Sequence, residues 1–154
     1  LLRLLSTGDS MILDLRELKK VGKTEESFFF EYEPKTELSA IPETKVSVPV
    51  KVEGTIYVTG EHSAEISGEV TFVLRGECTR CLEDAEREYV VSFDEVAGEE
   101  DGYPVVNDKI DLGKIVDDAV IVNMPVKFLC KDDCKGICPN CGVNLNVADC
   151  KCDK

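Results

Sequence analysis

Apolar residues fall on even positions through most of residues 46–75. Val46, Val48, Val50, Val52, Ile56 and Val58 are followed, after a turn near Gly60-Glu61-His62, by Ala64, Ile66, Val70, Phe72 and Leu74. The odd positions are mostly polar: Ser47, Lys51, Glu53, Thr55, Glu65, Ser67, Glu69 and Thr71. A period of two is that of a strand with one face on a core and one in water, so this segment predicts antiparallel strands. Pro49 has no N–H for a ladder and predicts an edge or a bulge. Phe28, Phe29, Phe30 and Tyr32 mark a strand over Ser27–Glu33, and Tyr89, Val91 and Phe93 mark another. Residues 11–20 read as a short strand running into a helical turn.

The period changes after an acidic, Gly- and Pro-containing loop at Ala97–Asp108. Asp111 suits a helix N-cap. Leu112, Ile115, Val116, Ala119, Val120 and Val122 follow at three- and four-residue intervals, predicting an amphipathic helix that ends before Pro125. From Cys130 onward there are too few apolar residues for a core. The expected fold is α+β: mostly antiparallel β-sheet with one amphipathic helix and a C-terminal cysteine-rich zinc-knuckle tail. The expected division is 1–10 as an extension ahead of Met11, 11–129 as the core domain, and 130–154 as a zinc-binding tail packed on that core.

With 43% apolar and 32% charged residues among 154, the composition is globular rather than disordered. No apolar stretch approaches the ~20 residues a membrane helix needs. Leu1-Leu2-Arg3-Leu4-Leu5 lacks the features of a secretory signal, so a cytoplasmic protein is expected. The net charge of −13 is uneven, with 13 acids and 3 bases in residues 83–118. Bare nucleic acid is bound through Lys and Arg that release counterions, so a chain this acidic is a poor general polyanion binder. Its field attracts basic partners instead. The plainer reading of the charge is solubility alone.

The eight cysteines are Cys78, Cys81, Cys130, Cys134, Cys138, Cys141, Cys150 and Cys152. Four disulfides are arithmetically open, but reducing conditions favour free thiols. Cys78-Thr-Arg-Cys81 and Cys138-Pro-Asn-Cys141-Gly142 have the two-residue spacing that lets both sulfurs face one ion. Eight thiolates divide into two tetrahedral sets: Cys138, Cys141, Cys150 and Cys152 within the last 17 residues, and Cys78, Cys81, Cys130 and Cys134. Closed four-sulfur sites are structural rather than catalytic. One zinc site with spare thiols, and redox, iron–sulfur or disulfide chemistry, stay open beside this reading. Cys134-Lys-Gly-Ile-Cys138-Pro-Asn-Cys141 has the spacing of the radical S-adenosylmethionine motif, but such enzymes carry it early in a large α/β barrel, and the fold expected here is mostly β. A thioredoxin reading of Cys78–Cys81 lacks its βαβ context.

Little else offers chemistry. His62, the one histidine, reads as a solvated turn residue rather than a ligand or base. Asp117 and Asp118 diverge around a helix, and Glu99-Glu100-Asp101 reads as a solvated loop. No set of nucleophile, base and stabiliser assembles, so no enzyme is expected. Arg80, Lys127, Lys131 and Lys135 make the cysteine region locally basic, either as compensation for thiolates or as a small RNA-facing patch.

At these cysteines the chain resembles the YceD family, the large ribosomal RNA subunit accumulation proteins. The shared motifs are Cys78-Thr-Arg-Cys81-Leu82, Asp111-Leu112 opening a helix that ends near Pro125, and Cys130-x3-Cys134-Lys-Gly-Ile-Cys138-Pro-Asn-Cys141-Gly-Val-Asn144-Leu145-Asn146 closing with Cys150-Lys-Cys152. The similarity runs from Met11 to the C-terminus. It implies a non-enzymatic role in producing or stabilising large-subunit ribosomal RNA. Family genes often neighbour that of a small basic ribosomal protein, which implies such a protein or a pre-ribosomal particle as partner, with ribosomal RNA contacted indirectly.

Overall fold

A computed structural model describes the backbone of residues 2–3 and the whole of residues 11–34, 36–100 and 102–152. Most of the extension expected at 1–10 lies outside the described residues. In chain order the elements are β1 (Leu2–Arg3), β2 (Ile12–Asp14), α1 (Leu15–Lys20), β3 (Glu25–Tyr32), β4 (Thr44–Val58), β5 (Ala64–Glu77), β6 (Asp84–Ala97), β7 (Lys109–Asp111) and α2 (Leu112–Val122). A five-stranded sheet runs in the order β1-β3-β4-β5-β6, with β3 to β6 as an antiparallel meander and β1 parallel to β3. β2 and β7 form a separate antiparallel pair.

The period of two has the expected consequence. Val46, Val50, Val52, Ile56, Ala64, Ile66, Val70, Phe72 and Leu74 are buried on one face. That face is covered by Leu112, Ile115, Val116 and Val120 of α2, with Leu13, Leu15 and Leu18 from the β2–α1 segment. Val48 departs from the pattern and is 52% exposed. Between Ser47 and Lys51, β4 takes four steps where β5 takes two, from Val73 to Thr71. The two extra residues preserve parity, so Val46 and Val50 stay inside while Val48 is expelled. Pro49 therefore marks a bulge in an interior strand, not an edge. Gly54 and Gly68 face each other across β4 and β5 on the core side. A Cβ on either would meet backbone oxygen of the opposite strand, and also the Phe28 or Phe93 ring that lies against it.

Among the described residues the single expected helix becomes two. The helical turn read after residue 11 is a short helix: Asp14 caps it by accepting from the Arg16 N–H at 2.9 Å, and Leu15 and Leu18 turn into the core. In α2, Asp111 accepts from the Lys114 N–H at 3.1 Å. Val122 was grouped with the buried stripe but is exposed, because it is the helix's last residue, on the flank of that stripe. Asp117 and Asp118 do diverge. Tyr32 donates to Asp117 at 2.6 Å and Tyr103 to Asp118 at 2.9 Å, tying α2 to the β3 end and to the loop after β6. No helix among the described residues is long and apolar enough to cross a membrane.

Candidate metal centres

Phe128 is the last residue of the main core, and the cysteine-rich segment begins just beyond it. The β5–β6 turn meets this segment edge on. Thr79 donates from both N–H and Oγ1 to the Phe128 carbonyl, at 2.8 and 3.1 Å. Arg80 donates to the Cys134 carbonyl at 3.0 Å. Arg87 of β6 lies over the Tyr89 ring, donates to the Leu129 carbonyl at 3.3 Å and pairs with Asp132 at 2.9 Å.

These contacts bring Cys78 and Cys81, from the β5–β6 turn, onto Cys130 and Cys134. Cys138, Cys141, Cys150 and Cys152 gather separately. In each set all four sulfurs lie within 4.8 Å of one another. In the inner set Cys78 is 3.7 Å from Cys134, and Cys81 is 3.7 Å from Cys130. In the outer set Cys138 is 3.2 Å from Cys150 and 4.0 Å from Cys152, while Cys141 is 3.7 Å from Cys150. None of the eight is joined in a disulfide. Tetrahedral binding at ~2.3 Å per bond sets sulfurs ~3.8 Å apart, so both donor sets fit one thiophilic ion each. The inner set is largely buried, whereas Cys141 and Cys150 of the outer set are exposed.

The two sites are built on the same turn. The Leu82 N–H bonds the Cys78 carbonyl and the Cys78 N–H bonds the Glu83 carbonyl, both at 2.9 Å. The Gly142 N–H bonds the Cys138 carbonyl and the Cys138 N–H bonds the Val143 carbonyl, again at 2.9 Å. In each the fifth residue is left-handed: Leu82 at φ 63°, Gly142 at φ 74°. The turn aims amides at the first sulfur of the pair. Burial pushes the Cys78 thiol up, but the N–H groups of Cys81, Cys130 and Arg80 outweigh it and bring it down to about 6. The N–H groups of Cys141 and Asn140 bring Cys138 down to about 6. Burial, then crowding by Cys134 and Cys81, pushes Cys130 up to about 12. Cys152 is pushed up to about 12 by Cys150 and Cys141.

Asn146 is a site residue to which no role was assigned from sequence. Its amide donates to the Cys134 sulfur at 3.4 Å, and its Oδ1 accepts from the Lys135 N–H at 2.9 Å. Against burial, this amide and the Gly136 N–H hold the Cys134 thiol down. The signal available was the Asn144-Leu145-Asn146 spacing: Asn144 accepts from both the backbone and the side chain of Asn146 at 2.9 Å. Of the basic residues near the cysteines, Arg80 acts as a clasp, while Lys127, Lys131 and Lys135 are exposed. His62 is exposed as expected, yet its Nδ1 is 2.8 Å from Asp108.

Residues 66–154 match the family model described as "Large ribosomal RNA subunit accumulation protein YceD". This span holds all eight cysteines and is narrower than the similarity read from Met11 onward. The chain is similar to an uncharacterised protein of Mycobacterium tuberculosis, 36% identical over 81 residues that make 46% of this chain and 39% of the relative. An uncharacterised protein of Mycobacterium leprae is 35% identical over 82 residues, 46% of this chain and 38% of the relative. The chloroplastic large ribosomal RNA subunit accumulation protein YCED homolog 1 of Arabidopsis thaliana is 35% identical over 52 residues, 34% of this chain and 16% of that protein. The chain thus spans about two fifths or less of the length of these curated relatives. No solved structure matches.

Proposed function

We propose a function from one premise: the chain belongs to the YceD family of large ribosomal RNA subunit accumulation proteins. On that premise the protein supports accumulation of large-subunit ribosomal RNA in the cytoplasm by binding, without turnover. Its partner is a basic ribosomal protein or a pre-ribosomal particle, held through the acidic 83–118 segment, and RNA is affected indirectly. The observation that carries this reading is the family match over 66–154, which takes in both cysteine sets and the whole acidic segment. The site chemistry agrees with it. Cys78, Cys81, Cys130 and Cys134 hold one zinc ion, and Cys138, Cys141, Cys150 and Cys152 hold a second. A closed four-sulfur ion supplies rigidity and offers no open coordination position, and structural zinc is worth on the order of 10–16 kcal/mol in small peptides. The test is removal of the gene. The ratio of large- to small-subunit ribosomal RNA falls and is restored by the wild-type chain. An unchanged ratio rejects the role.

A second reading is a thiol-based redox sensor, and the exposure of Cys141 and Cys150 is what favours it. Elemental analysis with thiol titration separates the two. Two bound zinc ions with inert thiols support the first reading, and a disulfide that cycles with glutathione supports the second.

A further inference from the structure

β6 is the outer strand of the five-stranded sheet, on the side away from β1. It pairs with β5 without a break from Glu77↔Asp84 to Ala64↔Ala97. Two hydrogen bonds fix which way its backbone points. At one end the Glu83 carbonyl accepts from Cys78, in line with β5. At the other, the Val96 carbonyl accepts from Tyr103, on the side opposite β5. Because backbone groups alternate along an unbulged strand, odd residues bond β5 and even residues present their N–H and C=O to the open side. From Asp84 to Asp94, among the described residues, no backbone group takes up that open side.

An open edge of this length invites pairing, and proteins guard such edges with charge. Here the charge has one sign. The even side chains lie on the solvent face and include Asp84, Glu86, Glu88 and Asp94. Among the described residues, only Glu86 of these has a cation opposite, Arg75 at 2.5 Å. A second copy of β6 would bring acid against acid, which is destabilising in a cross-strand pair. On the core face the odd residues Tyr89 and Val91 are only half-buried, although they pack on the main core. The edge thus offers unpaired backbone groups, uncompensated acids on one face and half-covered apolar side chains on the other. At Asp94 the strand enters an open hollow lined by the acids Asp94, Glu95, Glu99 and Glu100 and by one base, Lys114, which is paired with Asp118.

We infer that β6 is a docking edge for an extended basic segment of a partner protein, which adds to the sheet as a further antiparallel or parallel strand. That segment alternates Lys or Arg, set beside Asp84, Glu88 and Asp94, with apolar residues that complete the cover of Tyr89 and Val91. Main-chain bonds give affinity and the alternation gives specificity. The inference rests on the proposed binding of a basic partner and specifies its mode.

The experiment uses the full chain and a synthetic peptide of alternating lysine and valine. Controls are the same peptide N-methylated at alternate residues, and polylysine of equal charge. The expected result is that the alternating peptide binds. The N-methylated form binds roughly tenfold or more weakly, as expected for losing one or two net hydrogen bonds. Amide exchange at Glu86, Glu88, Val90 and Ser92 slows on binding, while odd positions are protected throughout. Glu88→Gln with Asp94→Asn weakens binding without moving the metal content. Equal binding of all three peptides overturns the edge and leaves a basic partner standing. Binding by none of them overturns the edge as well. If purified basic ribosomal proteins also fail to bind, the partner reading falls separately. A dimer of the chain that protects the same amides without peptide overturns the inference in favour of self-pairing.

Discussion

Left-handed residues at equivalent points of the two cysteine turns separate conformational strain from packing. A Cβ on Gly142 meets nothing within 4 Å, so its need for glycine is purely one of φ. Gly142→Ala is expected to cost about 1 kcal/mol, read as weaker metal retention by the outer set under competing chelator. Leu82 already bears that strain, and it is half-exposed. Leu82→Gly relieves it but loosens the unfolded chain by ~0.5–1 kcal/mol, so little net change is expected. Asn146 acts through hydrogen bonds. Asn146→Ala removes the donor to Cys134 and the acceptor for Lys135 N–H, and should cost about 1–2 kcal/mol. It should also raise the pH at which the Cys134 thiolate forms in the metal-free chain, measured by alkylation rate against pH.

At the scale of elements, Asp14 shows how a cap titrates. The Arg16 side chain, helped by its backbone N–H, holds the Asp14 carboxyl at about 2, below its ordinary 3.8. A depressed carboxyl stabilises the fold above its ordinary value, and that share is lost as pH falls from 3.8 towards about 2. Asp14→Ala should therefore cost about 1 kcal/mol at neutral pH, with the gap to wild type closing across that acid window in urea titrations. Asp117 has the opposite sign. Burial raises its carboxyl, so its effect favours the fold at low pH and fades as pH rises through the raised value. Most elements were legible because period and caps agreed: the even positions of β4 and β5, and Asp111 before α2. Val48 was not, since a two-residue bulge leaves the parity of the flanking pattern untouched. The short α1 was blurred, because Leu15 and Leu18 alone carry its apolar face. The division of cysteines into two sets followed from chain distance and the paired spacing. The clasps were invisible, because Arg80, Arg87 and Thr79 reach carbonyl oxygens, which carry no sequence signal.

At the scale of the whole molecule, the inner set joins the β5–β6 turn to the tail, whereas the outer set lies entirely within the tail. Cys141→Ser is expected to lose one metal equivalent and leave residues near Phe128 docked. Cys78→Ser should lose the inner metal and release the tail, seen as amide exchange spreading from Cys130 to Cys152 while β3 to β6 remain protected. Native mass spectrometry of each variant checks both outcomes. The unbroken β5–β6 register has one more consequence. Fourteen residues of β6, at about 3.3 Å each, separate the cysteine-bearing end from the acidic loop by roughly 45 Å. A paired ribbon of that length resists shortening, so the two ends act as the jaws of a calliper. Whatever touches both must present its contacts at that fixed spacing, and a flexible tether could not impose the same selection.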